Sequence, residues 1–311
     1  MEEISPDRPV RIGTRGSALA LAQAHETRDR LMAAHGLPEA AFRIEVIRTT
    51  GDRVTDRPLA QLGGKGLFTK EIEEALADGR IDLAVHSMKD MPTWLPDGLA
   101  ITCLLPREDV RDAFVSPRHA AIADLPEGAV VGTSSLRRRA QLLNRRPDLN
   151  VVEFRGNVQT RLKKLDDGVA EATFLACAGL RRLGLAHAIG AAIEPDEMLP
   201  AIAQGAIGIE TRSGDDRLIA LLAAIDHAET ETRLAAERSF LAALDGSCTT
   251  PIGGLAELAD GTMRFRGEII RPDGSERLAT ERTGPAADAA RMGRDAAEEL
   301  RRRAGPGFFA A

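Results

Sequence analysis

The sequence has 311 residues, 43% of them hydrophobic and 28% charged, which suits two or three globular domains with their own cores. It contains nine Phe, one Trp and no Tyr, which argues against binding single-stranded nucleic acid by stacking, and the net charge of −6 disfavours nucleic acid altogether. No stretch approaches the roughly 18 apolar residues of a membrane span, and the acidic N-terminal segment lacks an apolar signal-peptide core. Three cysteines without a C-x-x-C pair predict neither a disulfide framework nor a zinc site. We therefore expect a cytoplasmic protein with no membrane partner.

The first part of the chain alternates strand and helix patterns. This alternation predicts an α/β lobe with a parallel-rich sheet flanked by helices. A crossing to a second lobe is predicted between the last two strands of the series. The predicted elements are a strand at 10–13, a helix at 18–34, a strand at 42–47, a helix at 66–78 and strands at 81–85, 99–104 and 113–115.

The same pattern then begins again, which predicts a second, similar lobe and a cleft between the two. After Asp226 the pattern of predicted helices and strands changes to that of a small α+β third domain with a glycine-rich loop. The predicted elements of the second lobe are strands at 129–132, 150–154 and 172–177 and helices at 136–145 and 158–166. Those of the third domain are a helix at 229–244, strands near 255–257 and 263–270, and a helix at 286–302.

Basic residues are concentrated in one stretch of this acidic protein. Between Val130 and Arg182 there are eleven Lys and Arg against five Asp and Glu, a local excess of six. A solvated face of ion pairs is the simplest explanation of such a stretch. An anion site is the alternative, and the positions of the arginines decide between the two.

Arginines accompany three predicted strand-to-helix junctions. Free backbone N–H groups and the helix dipole favour anions at such junctions, and arginine adds a fork that matches a carboxylate. Each Ser or Asn there could also be an ordinary helix cap. In an α/β sheet these loops lie at the carboxyl ends of the strands, where ligands bind. The junctions are Thr14-Arg15-Gly16-Ser17, Thr133-Ser134-Ser135-Leu136-Arg137-Arg138-Arg139, and Arg155-Gly156-Asn157 followed by Arg161.

A polar segment from His86 to Asp90 follows the predicted strand that ends at Val85. Asp90 could be a general acid or base, or could stabilise developing positive charge, and Lys89 could bind an anion. The alternative is a surface ion pair between Lys89 and Asp90 before the turn at Pro92. We interpret His86 as a packed, hydrogen-bonded histidine rather than a base, and the remaining histidines are too scattered to suggest a metal site.

The cysteines differ in their surroundings. Cys103 and Cys177 lie in apolar runs and are predicted to be inert core thiols. Cys248 lies in the polar, glycine-rich loop 245–254, where a thiol could be a nucleophile or an attachment point, although an ordinary loop cysteine is an equal alternative. The Gly63-Gly64-Lys65-Gly66 segment lacks the spacing of a phosphate loop, and a lid or a turn fits it as well.

Taken together, these segments resemble the porphobilinogen deaminase family, also called the hydroxymethylbilane synthases. The matching motifs occur in family order from residue 10 to about 254, whereas about the last 50 residues match only in texture. The motifs are Thr14-Arg15-Gly16-Ser17 with Leu19-Ala20, Gly63 to Phe68, His86-Ser87-Met88-Lys89-Asp90, Arg107-Glu108-Asp109 with Arg111-Asp112-Ala113, Gly132 to Arg138, Arg155-Gly156-Asn157-Val158 with Thr160-Arg161, Ala178-Gly179-Leu180, Gln204-Gly205-Ala206 and the Cys248 loop.

The resemblance implies a fold of three domains. Two α/β lobes of the periplasmic-binding-protein type are expected, with the chain returning to the first lobe near Gln204, and a third α+β domain is expected to carry the cofactor loop. The implied boundaries are 1–105 with about 204–224 for the first, 106–203 for the second and 225–311 for the third.

The resemblance also implies a chemistry. Members carry a dipyrromethane, made from two porphobilinogens and joined to a cysteine by a thioether, which falls here on Cys248. Four more porphobilinogens are added head to tail with loss of ammonia, and hydrolysis releases the linear tetrapyrrole from what is expected to be a monomer without a metal. Asp90 matches the catalytic carboxylate. The positions that match cofactor or substrate contacts are Arg15, Ser17, Lys89, Thr133, Ser134, Ser135, Arg137, Arg138, Arg155, Gly156, Arg161 and Arg182.

Three positions depart from the family pattern. Gly16 and Thr249 stand where Gln is common, and Gln61 replaces a lysine of some relatives, which could alter a loop or a peripheral contact.

The main alternative function is a non-catalytic, two-lobed binding protein for a small dicarboxylate or an oxyanion. A third domain with a loop cysteine, and the lack of a predicted export signal, count against that alternative. A nucleic-acid-binding protein is disfavoured by the acidity of the chain.

Overall fold

The structure is a computed structural model that describes residues 4–53, 68–246 and 250–309. The strands are β1 (Val10–Thr14), β2 (Phe42–Val46), β3 (Leu83–Ser87), β4 (Leu99–Leu104), β5 (Asp112–Val115), β6 (Val130–Gly132), β7 (Asn150–Val152), β8 (Ala172–Ala176), β9 (Ala191–Ile193), β10 (Ile207–Arg212), β11 (Ile252–Ala259), β12 (Thr262–Ile270) and β13 (Arg277–Pro285). The helices are α1 (Ala18–His35), α2 (Thr50–Arg53), α3 (Lys70–Ala77), α4 (Leu136–Arg145), α5 (Val158–Asp166), α6 (Cys177–Arg182), α7 (Asp216–Leu222), α8 (Ala228–Ala243) and α9 (Ala289–Ala304). None of the helices in these ranges has the length and hydropathy that a membrane span requires.

The chain divides into two compact units. The first consists of Met1–Glu108 and Ala206–Glu231, and the second of Asp109–Gly205 and Thr232–Ala311. The described residues form three sheets, one in the first unit and two in the second. The predicted boundaries of three domains stay a prediction.

The sheet of the first unit has the strand order β2-β1-β3-β10-β4. Strands β1, β2 and β3 are parallel, whereas β10 runs antiparallel to both of its neighbours. Apolar side chains from the strands, α1 and α7 form one core, which includes Ile12, Leu31, Val85, Ile209 and Leu218. Such burial of aliphatic side chains is the main source of stability in a lobe of this kind.

The first sheet of the second unit has the same design. Its order is β7-β6-β8-β5-β9, with β6, β7 and β8 parallel and β5 antiparallel to β8 and β9. In both sheets, therefore, the fourth strand is the reversed one. Phe114 and Phe174 pack at a centroid distance of 6.0 Å in one apolar core of this lobe. Phe154 and Leu175 belong to a second, separate apolar core.

The other sheet of the second unit is a meander. Strands β11, β12 and β13 are antiparallel neighbours, and α9 packs against β12 and β13. Phe240 of α8 meets Phe265 of β12 edge to face, with ring centroids 5.1 Å apart. The β12–β13 turn contacts α4, because Asn144 Nδ2 donates a hydrogen bond of 2.8 Å to the carbonyl of Gly274.

The fold class predicted from the sequence is confirmed: two α/β sheets rich in parallel strands and one small α+β part. The bounds predicted for α4 and α5 agree with the structure. The helix predicted over 66–78 is described only from Lys70, and the one predicted over 286–302 begins as a single 3-10 turn before α9. Sequence analysis did not predict β9, β10, β13, α6 or α7, and it did not foresee the reversed strands.

Candidate functional site

The β1–α1 junction of the first unit carries Arg15 and Ser17. Ser17 caps α1, as predicted, because its Oγ accepts a hydrogen bond of 3.3 Å from the backbone N–H of Ala20. The guanidinium of Arg15 lies over the ring of Phe68, 4.2 Å from the ring centroid, in a cation–π contact. This contact positions a cation at the carboxyl end of β1.

Asp90 lies beside these residues. It ends a 3-10 turn, Met88–Asp90, that follows β3, and it is half-buried. Because β1 and β3 are parallel, their carboxyl ends meet at the same edge of the sheet. A depression at this edge is lined by Arg15, Ser17, Leu19, Ala20, Gln23, Phe68, Thr69, Val85, His86, Ser87, Asp90 and Met91.

The sequence analysis gave no role to Gln23 and Ser87, two polar residues that line the depression. Gln23 Nε2 lies 2.8 Å from Ser87 Oγ, so the two polar side chains are held against each other at the depression. The available signals were a polar residue on the buried face of α1 and a serine inside the His86–Asp90 segment.

Lys89 belongs to the same turn as Asp90 and is half-buried. Trp94, four residues beyond Asp90, has 48% of its surface exposed.

His86 is packed and hydrogen-bonded, as predicted. Its Nε2 lies 3.0 Å from Oε2 of Glu210 on β10, and both side chains are buried. Glu73 of α3 is also buried. Burial raises the pKa of Glu73, and the negative charge of Glu210 adds to this effect.

The β6–α4 junction of the second unit is built by its own hydroxyl groups. Thr133 Oγ1 accepts a hydrogen bond of 3.2 Å from the backbone N–H of Ser135. Ser135 in turn caps α4 by accepting a hydrogen bond of 3.4 Å from the N–H of Arg138. These bonds fix the first turn of the helix, from which Arg137 and Arg138 project.

Asp112 binds both of these arginines. Its Oδ2 accepts from Arg137 Nη2 at 2.8 Å, and its Oδ1 accepts from Arg138 Nη2 at 2.7 Å and from Gln204 Nε2 at 2.9 Å. Asp112 is the first residue of the reversed strand β5 and pairs with Ala176, so it lies at the edge where β8 ends. Sequence analysis named Asp112 only within a family motif and gave it no role.

The three charges of this buried group do not cancel, and the buried carboxylate of Glu268, which also acts on Arg137, is paired with Arg277 at 2.6 Å. Arg137 and Arg138 carry two positive charges and Asp112 one negative charge, which leaves one positive charge. Burial by itself would raise the pKa of Asp112, but the two arginines and Gln204 lower it well below its usual range, so the carboxylate is ionised. The Nε atoms of Arg137 and Arg138 are buried, and neither has a hydrogen-bond partner among the described residues.

The β7–α5 junction lies next to the β6–α4 junction. Ser134 Oγ accepts a hydrogen bond of 3.1 Å from the backbone N–H of Phe154, which ties the two loops together. Asn157 caps α5, as predicted, by accepting from the N–H of Thr160 at 2.9 Å. Arg161 Nε donates to the carbonyl of Gly156 at 2.8 Å, and Arg155 precedes this glycine.

Gly156 occupies a position that other residues would not tolerate. Its φ is 125°, and a Cβ atom placed there would lie 2.6 Å from Thr160 Cγ2. Arg182 ends α6, immediately beyond β8, and its Nη2 donates to the carbonyl of Gly205 at 3.1 Å. The structure thus brings Thr133, Ser134, Ser135, Arg137, Arg138, Arg155, Gly156, Arg161 and Arg182 to the carboxyl edge of β6, β7 and β8.

Cys248 lies outside the described residues, as do Gln61, Thr249 and the Gly63–Gly66 segment. Cys103 and Cys177 are buried, as predicted. Burial raises the pKa of Cys103 to about 12 and that of Cys177 to about 11, so both thiols are unreactive near neutral pH. In the described part of the chain, no group of His, Cys, Asp and Glu is arranged to hold a metal ion.

Comparisons with known proteins identify the family. A family model described as "Porphobilinogen deaminase, dipyromethane cofactor binding domain" matches residues 10–220, and one described as "Porphobilinogen deaminase, C-terminal domain" matches residues 231–302. The chain belongs to the porphobilinogen deaminase family. The resemblance found in the sequence motifs is therefore confirmed.

Relatives within the family are similar over most of their length. The porphobilinogen deaminase of Paracoccus denitrificans is 71% identical over 304 residues, which are 98% of this chain and 97% of the relative. The chloroplastic porphobilinogen deaminase of Pisum sativum is 57% identical, with 96% of this chain and 83% of the relative covered. Among solved structures, a periplasmic binding protein of Salmonella typhimurium is 15% identical, with a TM-score of 0.39 and with 70% of this chain and 92% of that chain covered.

The residues at the edge of the second unit's sheet fit the dipyrromethane cofactor of this family. A dipyrromethane built from porphobilinogen carries several carboxylates. The described residues offer it a net positive charge at Asp112, Arg137 and Arg138, together with two buried Nε donors that have no partner there. Buried donors of this kind are costly unless a ligand satisfies them.

Proposed function

We propose that this chain is a hydroxymethylbilane synthase that adds four porphobilinogens, one after another, to a dipyrromethane attached to Cys248. Hydrolysis then releases the linear tetrapyrrole, so the chain acts in tetrapyrrole biosynthesis. The observation that carries the proposal is the buried group of Asp112, Arg137 and Arg138, whose excess positive charge and unpartnered donors suit a ligand with several carboxylates.

Arginines of the second unit would hold the cofactor and the growing chain. When bound, the dipyrromethane supplies a free pyrrole carbon as the nucleophile and a permanent primer. Its carboxylates would be bound by guanidinium groups and by the hydroxyl and backbone groups of two helix N-termini. The residues of the second unit proposed for these contacts are Thr133, Ser134, Ser135, Arg137, Arg138, Arg155, Gly156, Arg161 and Arg182. Lys89 of the first unit is proposed as a further carboxylate contact.

Residues of the first unit would act on the incoming substrate. Arg15, steadied by Phe68, and Ser17 would bind a carboxylate of porphobilinogen. Asp90, half-buried in the same depression, would stabilise the positive charge that develops as ammonia leaves and would accept a proton. A half-buried carboxylate suits this task because a lower local dielectric strengthens its interaction with a cation.

The enzyme is favoured over a two-lobed binding protein. Both family models, which together span residues 10–220 and 231–302, describe a porphobilinogen deaminase, and a relative of that name is 71% identical over nearly the whole chain. We further propose that the protein works as a cytoplasmic monomer without nucleic acid or membrane partners. A reducing compartment suits the proposal, because attachment of the cofactor needs a reduced Cys248 thiol.

Mass spectrometry of the intact purified chain tests the attachment. We expect the mass of the chain plus one dipyrromethane, and Cys248→Ser should lose this addition. Cys103→Ser and Cys177→Ser are the matched controls, and both should keep it. An active wild-type chain of unmodified mass would contradict the proposal.

Turnover of the loaded enzyme tests the role of Asp90. Asp90→Asn should fold and keep the added mass, while turnover should fall by about 100-fold or more, the scale on which a charge-stabilising group acts. Near-normal turnover would remove Asp90 from the chemistry. Arg155→Ala and Arg161→Ala should accumulate partly elongated chains, and a uniform loss of affinity without such species would contradict their assignment.

A further inference from the structure

A buried cluster of three ionisable side chains borders the depression that contains Asp90. His86 of β3 and Glu210 of β10 are bonded at 3.0 Å, and Glu73 of α3 is buried near them. The relative exposures of Glu73, His86 and Glu210 are 7%, 6% and 0%. His86 also lines the depression, so the cluster connects the core of the first unit to the site of Asp90.

The cluster is short of hydrogen bonds and of positive charge. Oε1 of Glu210 and Oε1 of Glu73 are buried, and neither has a hydrogen-bond partner within the described ranges. One imidazolium could balance only one of the two carboxylates, and two ionised carboxylates cannot share a dry site at low cost. The cluster is therefore a place where an additional proton is favoured over a second negative charge.

Within residues 4–53, 68–246 and 250–309, the other charged groups around His86 are few. Glu210 faces it from β10 and Glu73 acts on the same group from α3, while Asp90 and Arg15 line the depression that His86 lines. Asp82, a buried carboxylate at the opposite end of β3, is bound by Arg11 at 2.7 Å and belongs to a different group. The polar cluster thus opens toward Asp90.

The proposed reaction requires a place for a proton. In each addition the carbon–nitrogen bond of porphobilinogen breaks with its electron pair on nitrogen, and ammonia leaves. One carbon-bound hydrogen is replaced by the new carbon–carbon bond, and its proton ends on ammonia, so one ammonium group yields one ammonium ion. The proton must therefore pass from the carbon to ammonia within each addition, and the carboxylate of Asp90 must be ionised again before the next one.

We propose that His86 is the second proton holder of the site, which takes the carbon-bound proton from Asp90 in each addition and releases it to the departing ammonia. Both side chains then return to their starting state, and Glu210 is the positioning residue that stabilises His86 while it holds the proton. This inference rests on the proposed function. Glu210 fixes the ring through Nε2 and supplies the negative charge that an imidazolium needs in a buried place. Burial raises the pKa of Glu73, which disfavours a second negative charge beside His86.

The sharpest test is Glu210→Gln in the loaded holoenzyme. Glutamine keeps the shape and a carbonyl acceptor but removes the charge. We expect normal substrate KM, kcat lowered by about 10-fold to 100-fold at neutral pH, and the acidic limb of kcat against pH moved to lower pH, because imidazolium loses its counter-charge. The matched control is Asp82→Asn, which also removes a buried carboxylate of the first unit and should leave the shape of the pH profile unchanged.

A second measurement does not depend on turnover. In the Cys248→Ser chain, which carries no cofactor, ¹⁵N spectra should show a proton retained on His86 Nε2, and Glu210→Gln should change that signal. If Glu210→Gln does not fold, His86→Gln decides by kcat and the pH profile, with partial rescue by added imidazole expected.

The outcomes separate the two proposals. If the wild type makes hydroxymethylbilane but neither variant changes kcat or the acidic limb, the proton-holding role of His86 is overturned and the proposed function stands. If the wild type consumes no porphobilinogen, the proposed function itself fails.

Discussion

Asp112 and Arg137 form an ion pair that is closed off from solvent, with Oδ2 and Nη2 2.8 Å apart and side-chain exposures of 0% and 5%. Removal of one partner from such a pair leaves an unbalanced buried charge, which costs more than the pair itself contributes. Here the cost would be larger still, because Arg138 shares the same carboxylate. Asp112 therefore holds together two arginines that would otherwise repel each other.

Asp112→Ala should lower the free energy of unfolding by about 3–5 kcal/mol, measured by urea denaturation. The pKa of Asp112 is lowered in the folded state, so its stabilising contribution is present above the unfolded value of about 4 and is lost as pH falls below it. The control is Asp167→Asn, which breaks an exposed pair with Lys163 and should leave the midpoint almost unchanged. Equal effects of the two substitutions would contradict the role of Asp112.

Gly156→Ala should destabilise the protein by about 1–3 kcal/mol, because alanine at a φ of 125° is strained and its Cβ meets Thr160. The displaced Thr160 would also disturb the cap from Asn157, and with it the position of Arg161. Gly214→Ala is the control, since no atom lies within 4 Å of its added Cβ. Thermal unfolding and retention of the cofactor can be compared in both variants, and an unchanged Gly156→Ala would refute the argument.

Thiol titration should count the modified cysteine. The sequence contains three cysteines, and with Cys248 bound to the cofactor we expect no reactive thiol in the native enzyme at pH 8. Cys103 and Cys177 are protected by burial and by pKa values raised to about 12 and 11. After denaturation two thiols should react. A third would mean that Cys248 is unmodified.

Glu73→Gln should change how stability depends on pH. Because the pKa of Glu73 is raised on folding, the folded state binds its proton more tightly, and stability falls as pH rises above the unfolded value of about 4.3. The variant lacks this loss, so its stability relative to the wild type should increase from pH 5 to pH 8. Glu74→Gln, on the exposed side of the same helix, should follow the wild-type slope. Parallel curves for wild type and Glu73→Gln would contradict the raised pKa.

Local sequence patterns predict much of the fold. The helices α4 and α5 were predicted with their bounds, because their apolar spacing and the caps Ser135 and Asn157 are local features of the chain. Strands β5 and β10 could not be placed in their sheets, since each pairs with strands far away in sequence and runs against the others. Their reversal depends on where the chain leaves and re-enters each sheet, which no local pattern records.

The site was predicted as a set of residues rather than as a set of contacts. Motifs identified Arg137 and Arg138, but not that Asp112 binds both, because the carboxylate lies 25 residues before Arg137. Likewise His86 was expected to be hydrogen-bonded, while its partner, Glu210, lies 124 residues away. The roles of the predicted site residues stay predictions until the variants above are measured.

Trp94 is the only tryptophan in the sequence, which contains no tyrosine. It lies four residues beyond Asp90, and about half of the surface of Trp94 is exposed. Indole fluorescence from this protein therefore comes from one place, a single ring four residues beyond Asp90 in the chain. A ligand that shields this ring from water would shift the emission to shorter wavelength, and each addition to a growing chain could be followed in real time without a label.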